Sequence, residues 1–203
     1  KRLLPEHQRI LEVASNDNSQ LKAIRSLFPE KVLYGVEPAS NLIRDDNGIN
    51  IINEFFGTSS CKDRLKIISK FDVIIAQNVF AHIADPFTFI MHCKEILSEN
   101  GVIYIQVSQS DMVKNNEFDT LYHEHISFFN TYSMKMLVER TGLSLTSVEK
   151  VNVHGSSYLF TISRKEPDNT VYDMLDLEMK SDIYDIQTYK SYLDKVKIEK
   201  NRI

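Results

Sequence analysis

The stretch RILEVASNDNSQL, Arg9 to Leu21, decides the fold. Ile10, Leu11 and Val13 make a short strand-like run, the polar segment from Ala14 to Asn18 interrupts it, and apolar residues return at helical spacing from Ser19. A strand that passes through a tight turn into a helix opens a βαβ unit. The same alternation then recurs down the chain. KVLYGVE (31–37), INIINEFF (49–56), FDVIIAQ (71–77) and GVIYIQVS (101–108) read as further buried strands, rich in Ile, Val and aromatics. Between them, 19–28, 39–46, 58–69 and 86–98 carry helical spacing, with Pro86 suited to a first turn and Asn100-Gly101 closing the last helix. Strands alternating with helices of this length predict right-handed crossovers and a parallel sheet.

After residue 108 the rhythm changes. A polar loop leads to a helix over 131–141 that ends at Gly142, then to two strand runs, 143–151 and 157–164, joined by a short connection containing His154 and Gly155. Such a connection predicts an antiparallel hairpin. Five parallel strands closed by a hairpin is the layout of class I methyltransferases: an α/β, Rossmann-like fold with a mostly parallel seven-stranded sheet. Residues 1–165 are expected to form that domain. Residues 166–203 are charged and helical in pattern, and are expected either to cover the end of the sheet or to open a C-terminal region that the chain truncates. Lys1 in place of a methionine predicts that the sequence is a piece of something longer.

Composition excludes several classes. With 24 Lys and Arg against 28 Asp and Glu, the net charge is −4, and the basic residues are scattered. No nucleic-acid partner is expected from such a field. No run approaches the roughly 18 apolar residues that span a bilayer, so no membrane partner is expected. Two cysteines, Cys61 and Cys93, cannot build a disulfide framework or a four-cysteine zinc site, and fit a reducing, cytoplasmic setting.

The ligand of an open α/β sheet lies at the carboxyl ends of its strands, where strand order reverses. The first such turn, Ala14-Ser15-Asn16-Asp17-Asn18, has no glycine. Asn16 and Asn18 tolerate the left-handed conformation, and Ala14 is the smallest substitute where glycine would allow close approach. Glu37 ends the second strand, 25 residues after Glu12, where an acid can accept from ribose hydroxyls. A turn holding Asp17 repels phosphate, which favours the cationic adenosyl cofactor S-adenosylmethionine (SAM) over NAD. An ordinary turn with a surface glutamate remains an alternative. So does core packing for the Phe55-Phe56 pair, one of which could otherwise flank an adenine.

The second cluster is TLYHEHISFF, Thr120 to Phe129. If Tyr122, His123, Glu124 and His125 are extended, the two histidines share one face and form half of a metal site. Histidine can equally remove a proton from carbon beside a carbonyl, with Tyr122 or Glu124 holding the substrate. A hydrogen-bonded loop packed by Phe128 and Phe129 is the third possibility. His82, just past the fourth strand, lies on the same rim.

Taken in order over residues 10–164, these segments resemble the SAM-dependent sugar C-methyltransferases that act on nucleotide-linked keto-deoxysugars. LEVASNDNSQL resembles the family's L-E-I-G-S-N-D-G turn, YGVEPASN its G-V-E-P-A segment, NEFF its E-F-F, and FDVIIAQNVFAHIADP its fourth strand with the following Ala-His. EFDTLYHEHISFF resembles E-F-D-x-x-Y-H-E-H-x-S-Y-F, and VNVHGSS resembles H-G-G-S. Ala14 and Asn18 stand where the family has glycine, and Ser156 replaces the second glycine of H-G-G-S. The resemblance implies that Glu12, Ala14, Ser15, Asn16, Asn18, Glu37, Pro38, Phe56 and Asn78 surround SAM, which leaves as S-adenosylhomocysteine. It implies that Tyr122, His123, Glu124, His125 and His82 line the sugar-nucleotide site. His125 would take the proton α to the ketone, so that the enolate carbon accepts the methyl group. No metal is expected on this chain, although family members carry a zinc-binding cysteine module ahead of this region. A methyltransferase acting on a sugar hydroxyl, a fold-retaining module without turnover and, more remotely, an NAD oxidoreductase are the competing readings. Oligomeric state has no signal in the sequence.

Overall fold

The computed structural model describes residues 6–43, 48–107, 112–153 and 156–202. Seven strands form one sheet: β1 (Arg9–Val13), β2 (Val32–Val36), β3 (Ile49–Ile52), β4 (Phe71–Gln77), β5 (Leu97–Val107), β6 (Ser144–Val151) and β7 (Ser157–Ser163). They lie in the order β3-β2-β1-β4-β5-β7-β6, with β1 to β5 mutually parallel and β7 antiparallel to both its neighbours. The expected mostly parallel sheet with a closing hairpin is therefore present, although His154 and Gly155 lie outside the described residues. Strand order reverses between β1 and β4, which puts the crevice beyond Val13 and Gln77.

Each central strand is buried on both faces, and its side chains alternate between two cores. Val73 and Ile75 of β4 join Ile10, Leu33, Leu21 and Ile24 on the face covered by α1 (Ser19–Leu27). Ile74 and Ala76 join Leu11, Val13, Ile103 and Ile105 on the other face. That face is covered by α2 (Ser59–Ile68), α3 (Pro86–Ile96) and α5 (Thr131–Arg140), with the short α4 (Met112–Asn115) leading into the loop before α5. Continuous apolar runs are what a parallel sheet clad on both faces requires. Helix starts follow local chemistry. Asp85 caps the amide of Thr88 ahead of Pro86, and Asn130 and Ser133 exchange the reciprocal bonds of a capping box. Gly142 ends α5 at φ 71°, as its position predicts.

Three expectations need correction. The helix over 39–46 is a single 3-10 turn at Ser40–Leu42, with Ile43 already extended and residues 44–47 outside the described set. Pro38 and Ser40 favour a turn there over a sustained helix. The helix opened by Pro86 stops at Ile96, and Asn100-Gly101 lies inside β5, where the ladder jumps from Phe71↔Leu97 to Val73↔Val102. The polar Ser98–Asn100 segment bulges from the sheet rather than capping a helix. INIINEFF supplies a strand only over Ile49–Ile52, because Asn53 turns its amide onto the carbonyls of Glu37 and Pro38.

Residues after 165 cover the sheet. In α6 (Asn169–Lys180), Val171 joins the larger core and Glu178 is 2% exposed. In α7 (Ile186–Lys200), Tyr192 packs on Met112 and Val113 of α4 and donates to the Glu117 carbonyl at 2.9 Å. No helix among the described residues is long and apolar enough to cross a membrane.

Candidate functional site

At the carboxyl ends of β1, β2 and β4 lies a pocket of about 560 Å³, lined among others by Glu12, Ala14, Ser15, Asn16, Glu37, Asn78, His82 and Glu124. That volume is in the range of small-ligand and cofactor sites. The turn after β1 is built from left-handed residues: Ala14, Asn16 and Asn18 have φ of 56°, 51° and 62°. Residues other than glycine thus hold the left-handed positions of this turn, and Ala14 bears strain of about 1 kcal/mol. Ala14→Gly is accordingly expected to raise the unfolding free energy by up to about 1 kcal/mol, read from urea midpoints at unchanged slope. An equal or lower midpoint would show that no strain is stored there. Gly35 makes the turn possible from below, since a Cβ there would lie 2.5 Å from Ser15 Oγ.

Glu37 holds the turn in place. It is 6% exposed, and its two carboxylate oxygens accept from the amides of Asn16 and Ala39, each at 2.9 Å. Each oxygen retains a second lone pair for a ligand hydroxyl. Glu12 is also 6% exposed, and its Oε2 finds no hydrogen-bond partner among the described residues. Burial, reinforced by the negative charge of Asp17, pushes its carboxyl up to about 8. Ser15 Oγ and Gln20 Oε1 are likewise buried without a partner. Among the described residues, four carboxyl side chains, Glu12, Asp17, Glu37 and Glu124, line this pocket, and no described lysine or arginine does.

Not every expected residue reaches the pocket wall. Asn18 caps α1 from a buried position, and the Pro38 carbonyl accepts from Asn53. Phe56 packs into the larger core against Phe89 and His92, with ring centroids 5.0 and 6.4 Å away, while Phe55 is 70% exposed. β3 stops before the aromatic pair, so the chain turns Phe56 inward instead of along the crevice. Sequence reasoning passed over Gln20, Leu42, Gln77 and Val79, which also line the pocket. Gln77 and Val79 end and follow β4, so the strand-end rule alone would have found them.

The second cluster forms a turn, not a strand. The His125 amide donates to the Tyr122 carbonyl at 3.0 Å, so the alternation expected for an extended segment is lost. His123 points into solvent with its side chain 90% exposed, and His125 folds back on Tyr122. The shared face needed for a His-x-His half-site is absent, and among the described residues no three His, Cys, Asp or Glu side chains converge on a metal position. The segment is pinned to the turn at Phe80–His82. The amides of Ile126 and Ser127 donate to the Ala81 carbonyl at 3.0 and 3.1 Å, and buried Phe129 packs on Phe80.

Hydrogen bonding fixes the histidine tautomers. His125 Nδ1 lies 2.9 Å from the Thr120 carbonyl, which can only accept, so Nδ1 carries the proton. Nε2 then accepts from the Tyr122 hydroxyl at 3.0 Å. His82 Nδ1 lies 3.0 Å from the Glu124 carbonyl, and the same logic leaves its Nε2 unprotonated in the neutral ring. The His82 and His125 rings are 4.9 Å apart. His82 and Glu124 belong to the pocket wall, whereas Tyr122 and His125 stand just behind it. His82 therefore bridges the pocket and the Tyr122–His125 pair.

Comparison with known proteins agrees with this architecture. The chain is 29% identical over 171 residues to the C-methyltransferase NovU of Streptomyces niveus, a match covering 83% of this chain and 40% of that protein. The chain thus spans less than half the length of this curated relative. The fold is similar to that of the plantazolicin methyltransferase BpumL in complex with SAH, with a TM-score of 0.60 at 13% identity, covering 78% of this chain and 77% of that one. It is similar too to the O-methyltransferase NcsB1 of neocarzinostatin biosynthesis in complex with S-adenosylmethionine, with a TM-score of 0.59 at 9% identity over 76% of this chain and 48% of the other. At these identities the structures speak to the fold alone. The family model for the methyltransferase domain matches residues 1–148, most of the chain, and on that ground the chain belongs to the methyltransferase domain family.

Proposed function

We propose that this chain is the catalytic portion of a SAM-dependent C-methyltransferase that acts on a nucleotide-linked keto-deoxysugar. The observation carrying the reading is the meeting, at the strand-order reversal, of a pocket lined by four carboxyl side chains with the His82, Tyr122 and His125 cluster on its rim. The pocket residues suit SAM. Glu37 presents lone pairs for hydroxyls, the left-handed Ala14–Asn18 turn exposes backbone, and buried, unpartnered Glu12 Oε2 awaits a donor or a cation. Ser15, Asn16 and Asn78 complete the cradle, with Asn18 and Pro38 flanking it and Phe56 belonging to the core instead. When bound, SAM supplies a methyl group on a positively charged sulfur.

The chain's own residues then manage the proton. His125 has one acceptor nitrogen, and the Tyr122 hydroxyl occupies it. A proton taken from the carbon beside the sugar ketone passes through the Tyr122 oxygen to His125 Nε2. Glu124 and His82, at the pocket wall, hold the sugar, and exposed His123 lies at the entrance. Carbon rather than oxygen as the methyl acceptor draws support from the likeness to NovU. We extend the reading to domain organisation and setting. Residues 1–165 form the methyltransferase unit, and 166–203 begin a C-terminal region. Buried, unpaired Cys61 and Cys93 fit the reducing cytoplasm.

The first test is calorimetric titration of the chain with S-adenosylhomocysteine beside a Glu37→Ala control. Micromolar binding is expected, weakened at least tenfold in the control, because the substitution removes the ribose acceptor and loosens the turn. A folded chain that takes up no ligand, alone or within its full-length protein, would sink the cofactor reading and leave a fold-retaining module without turnover.

A further inference from the structure

The pocket carries an imbalance that the reading above does not use. Among the described residues its walls hold acidic and neutral side chains apart from His82, and one of the acids, Glu12, sits deep, buried and unpartnered at Oε2. Resting on the SAM reading, we propose that Glu12 is a proton-linked charge sensor: it is neutral in the free chain and ionises when a cationic sulfonium enters, so the site holds SAM more tightly than its uncharged thioether product.

The electrostatics run in one direction. Burial removes water from the Glu12 carboxylate, and Asp17, at the start of α1, adds like charge, so the acid form dominates near neutrality. Glu37 from the end of β2 and Glu124 from the segment before α5 face the same cavity and add no compensation. Among the described residues, Lys22 stands nearby, but its ammonium donates to the Asp17 carbonyl rather than to Glu12. A sulfonium supplies the missing positive charge from the ligand itself. It lowers the proton affinity of Glu12, and one proton leaves to solvent as the ligand binds. Methyl transfer then abolishes the ligand's charge, Glu12 takes a proton back, and the product is held less well. The reciprocity of linkage requires that pH and ligand act on each other equally.

The test measures binding of SAM and of S-adenosylhomocysteine to the chain and to its Glu12→Gln variant. Calorimetry in two buffers of different ionisation enthalpy at pH 7 reads the protons exchanged. Gln keeps the size of the neutral acid, and the ligand's own amino group titrates alike in both proteins, so the variant is the reference. SAM binding to the parent is expected to release close to one proton more than binding to the variant, and S-adenosylhomocysteine much less. Below about pH 8 the affinity of the parent for SAM should fall by up to tenfold per pH unit relative to the variant. Folding gives an independent readout. The unfolded carboxyl ionises near its ordinary value of 4.5 while the folded one keeps its proton to about 8, so parent stability declines as pH rises between those values. Glu12→Gln should remove that decline and leave the chain more stable at pH 8. Equal proton release by both ligands, or equal behaviour of parent and variant, overturns the proposal while leaving the cofactor reading intact. Absence of binding by either ligand overturns both.

Discussion

A His125→Ala chain is expected to bind S-adenosylhomocysteine like the parent yet to lose roughly 10²–10⁴-fold in turnover, the usual loss when a positioned general base is removed. The expectation rests on a chain of three contacts. The Thr120 carbonyl fixes the Nδ1 proton, Nε2 therefore accepts, and the Tyr122 hydroxyl stands on that acceptor at 3.0 Å. Alanine leaves Tyr122 with no base behind it, and an isolated phenol is a poor proton acceptor near neutral pH. Tyr122→Phe should cost about as much, because His125 keeps its tautomer and position but the oxygen that relays the proton to it is gone. The clearest readout separates proton removal from methyl transfer. In D₂O, a keto-deoxysugar nucleotide should exchange its α-hydrogen with the parent and not with the alanine variant, followed by NMR. Full exchange by the variant would remove His125 from the role and leave His82 Nε2, on the pocket wall, as the base. A C-methyltransferase needs this step; an O-methyltransferase acting on the same sugar does not. Absence of exchange from the parent, with methyl transfer intact, would therefore favour the hydroxyl acceptor.

The parts of the structure that local physics dictates were legible in the sequence. The alternation of β1 to β5 with helices, except between β2 and β3, the start of α3 at Pro86 and the end of α5 before Gly142 follow from apolar period and capping chemistry, and the structure reproduces them. What escaped depends on contacts between distant segments. Thr120 to Phe129 reads as easily as a strand as a turn, because the bonds that select the turn come from Ala81 and His82, far away in sequence. Phe56 looks like a cofactor flank until Phe89 claims its ring. The left-handed conformation of Ala14 runs against that residue's own preference, and the surrounding turn, held by Glu37 and Gly35, overrides it. The metal alternative for His123 and His125 assumed an extended segment, and the turn at Tyr122–His125 does not give the two rings that shared face. Charge, by contrast, was legible early. Asp17 in the first turn argued against a phosphate ligand, and four carboxyl side chains line the pocket among the described residues.

Glu178→Ala is expected to be the most destabilising single change, at about 3–5 kcal/mol, and to lower the melting temperature by about 10 °C. Glu178 is 2% exposed and accepts from the Thr131 amide at 2.9 Å, the Thr131 hydroxyl at 2.8 Å, and the Tyr158 and Tyr184 hydroxyls at 2.6 and 2.5 Å. Burial, together with the Glu178 carboxylate, pushes the Tyr184 phenol up, so it stays a donor. Thr131 is the first residue of α5, where the unpaired amides of a helix terminus favour a negative charge. Alanine strands the Thr131 and Tyr158 donors in a dry interior, while the partly exposed Tyr184 hydroxyl can turn to water, and each orphaned buried group carries a desolvation cost of about 1–3 kcal/mol. Gln, which still accepts through its amide oxygen but turns an NH₂ towards the remaining donors, should lose about half as much. Thermal melts followed by circular dichroism measure both, and an alanine variant melting within about 2 °C of the parent would show that the network is dispensable. The consequence extends to the site. α5 begins two residues after Phe129, the ring that anchors the Tyr122–His125 turn on Phe80, so the bond that sets the start of α5 also tensions the segment carrying the proposed base. Glu178 lies in α6, after residue 165. A chain cut at 165 should therefore lose stability and histidine geometry together, which makes the residues after 165 part of what positions the chemistry.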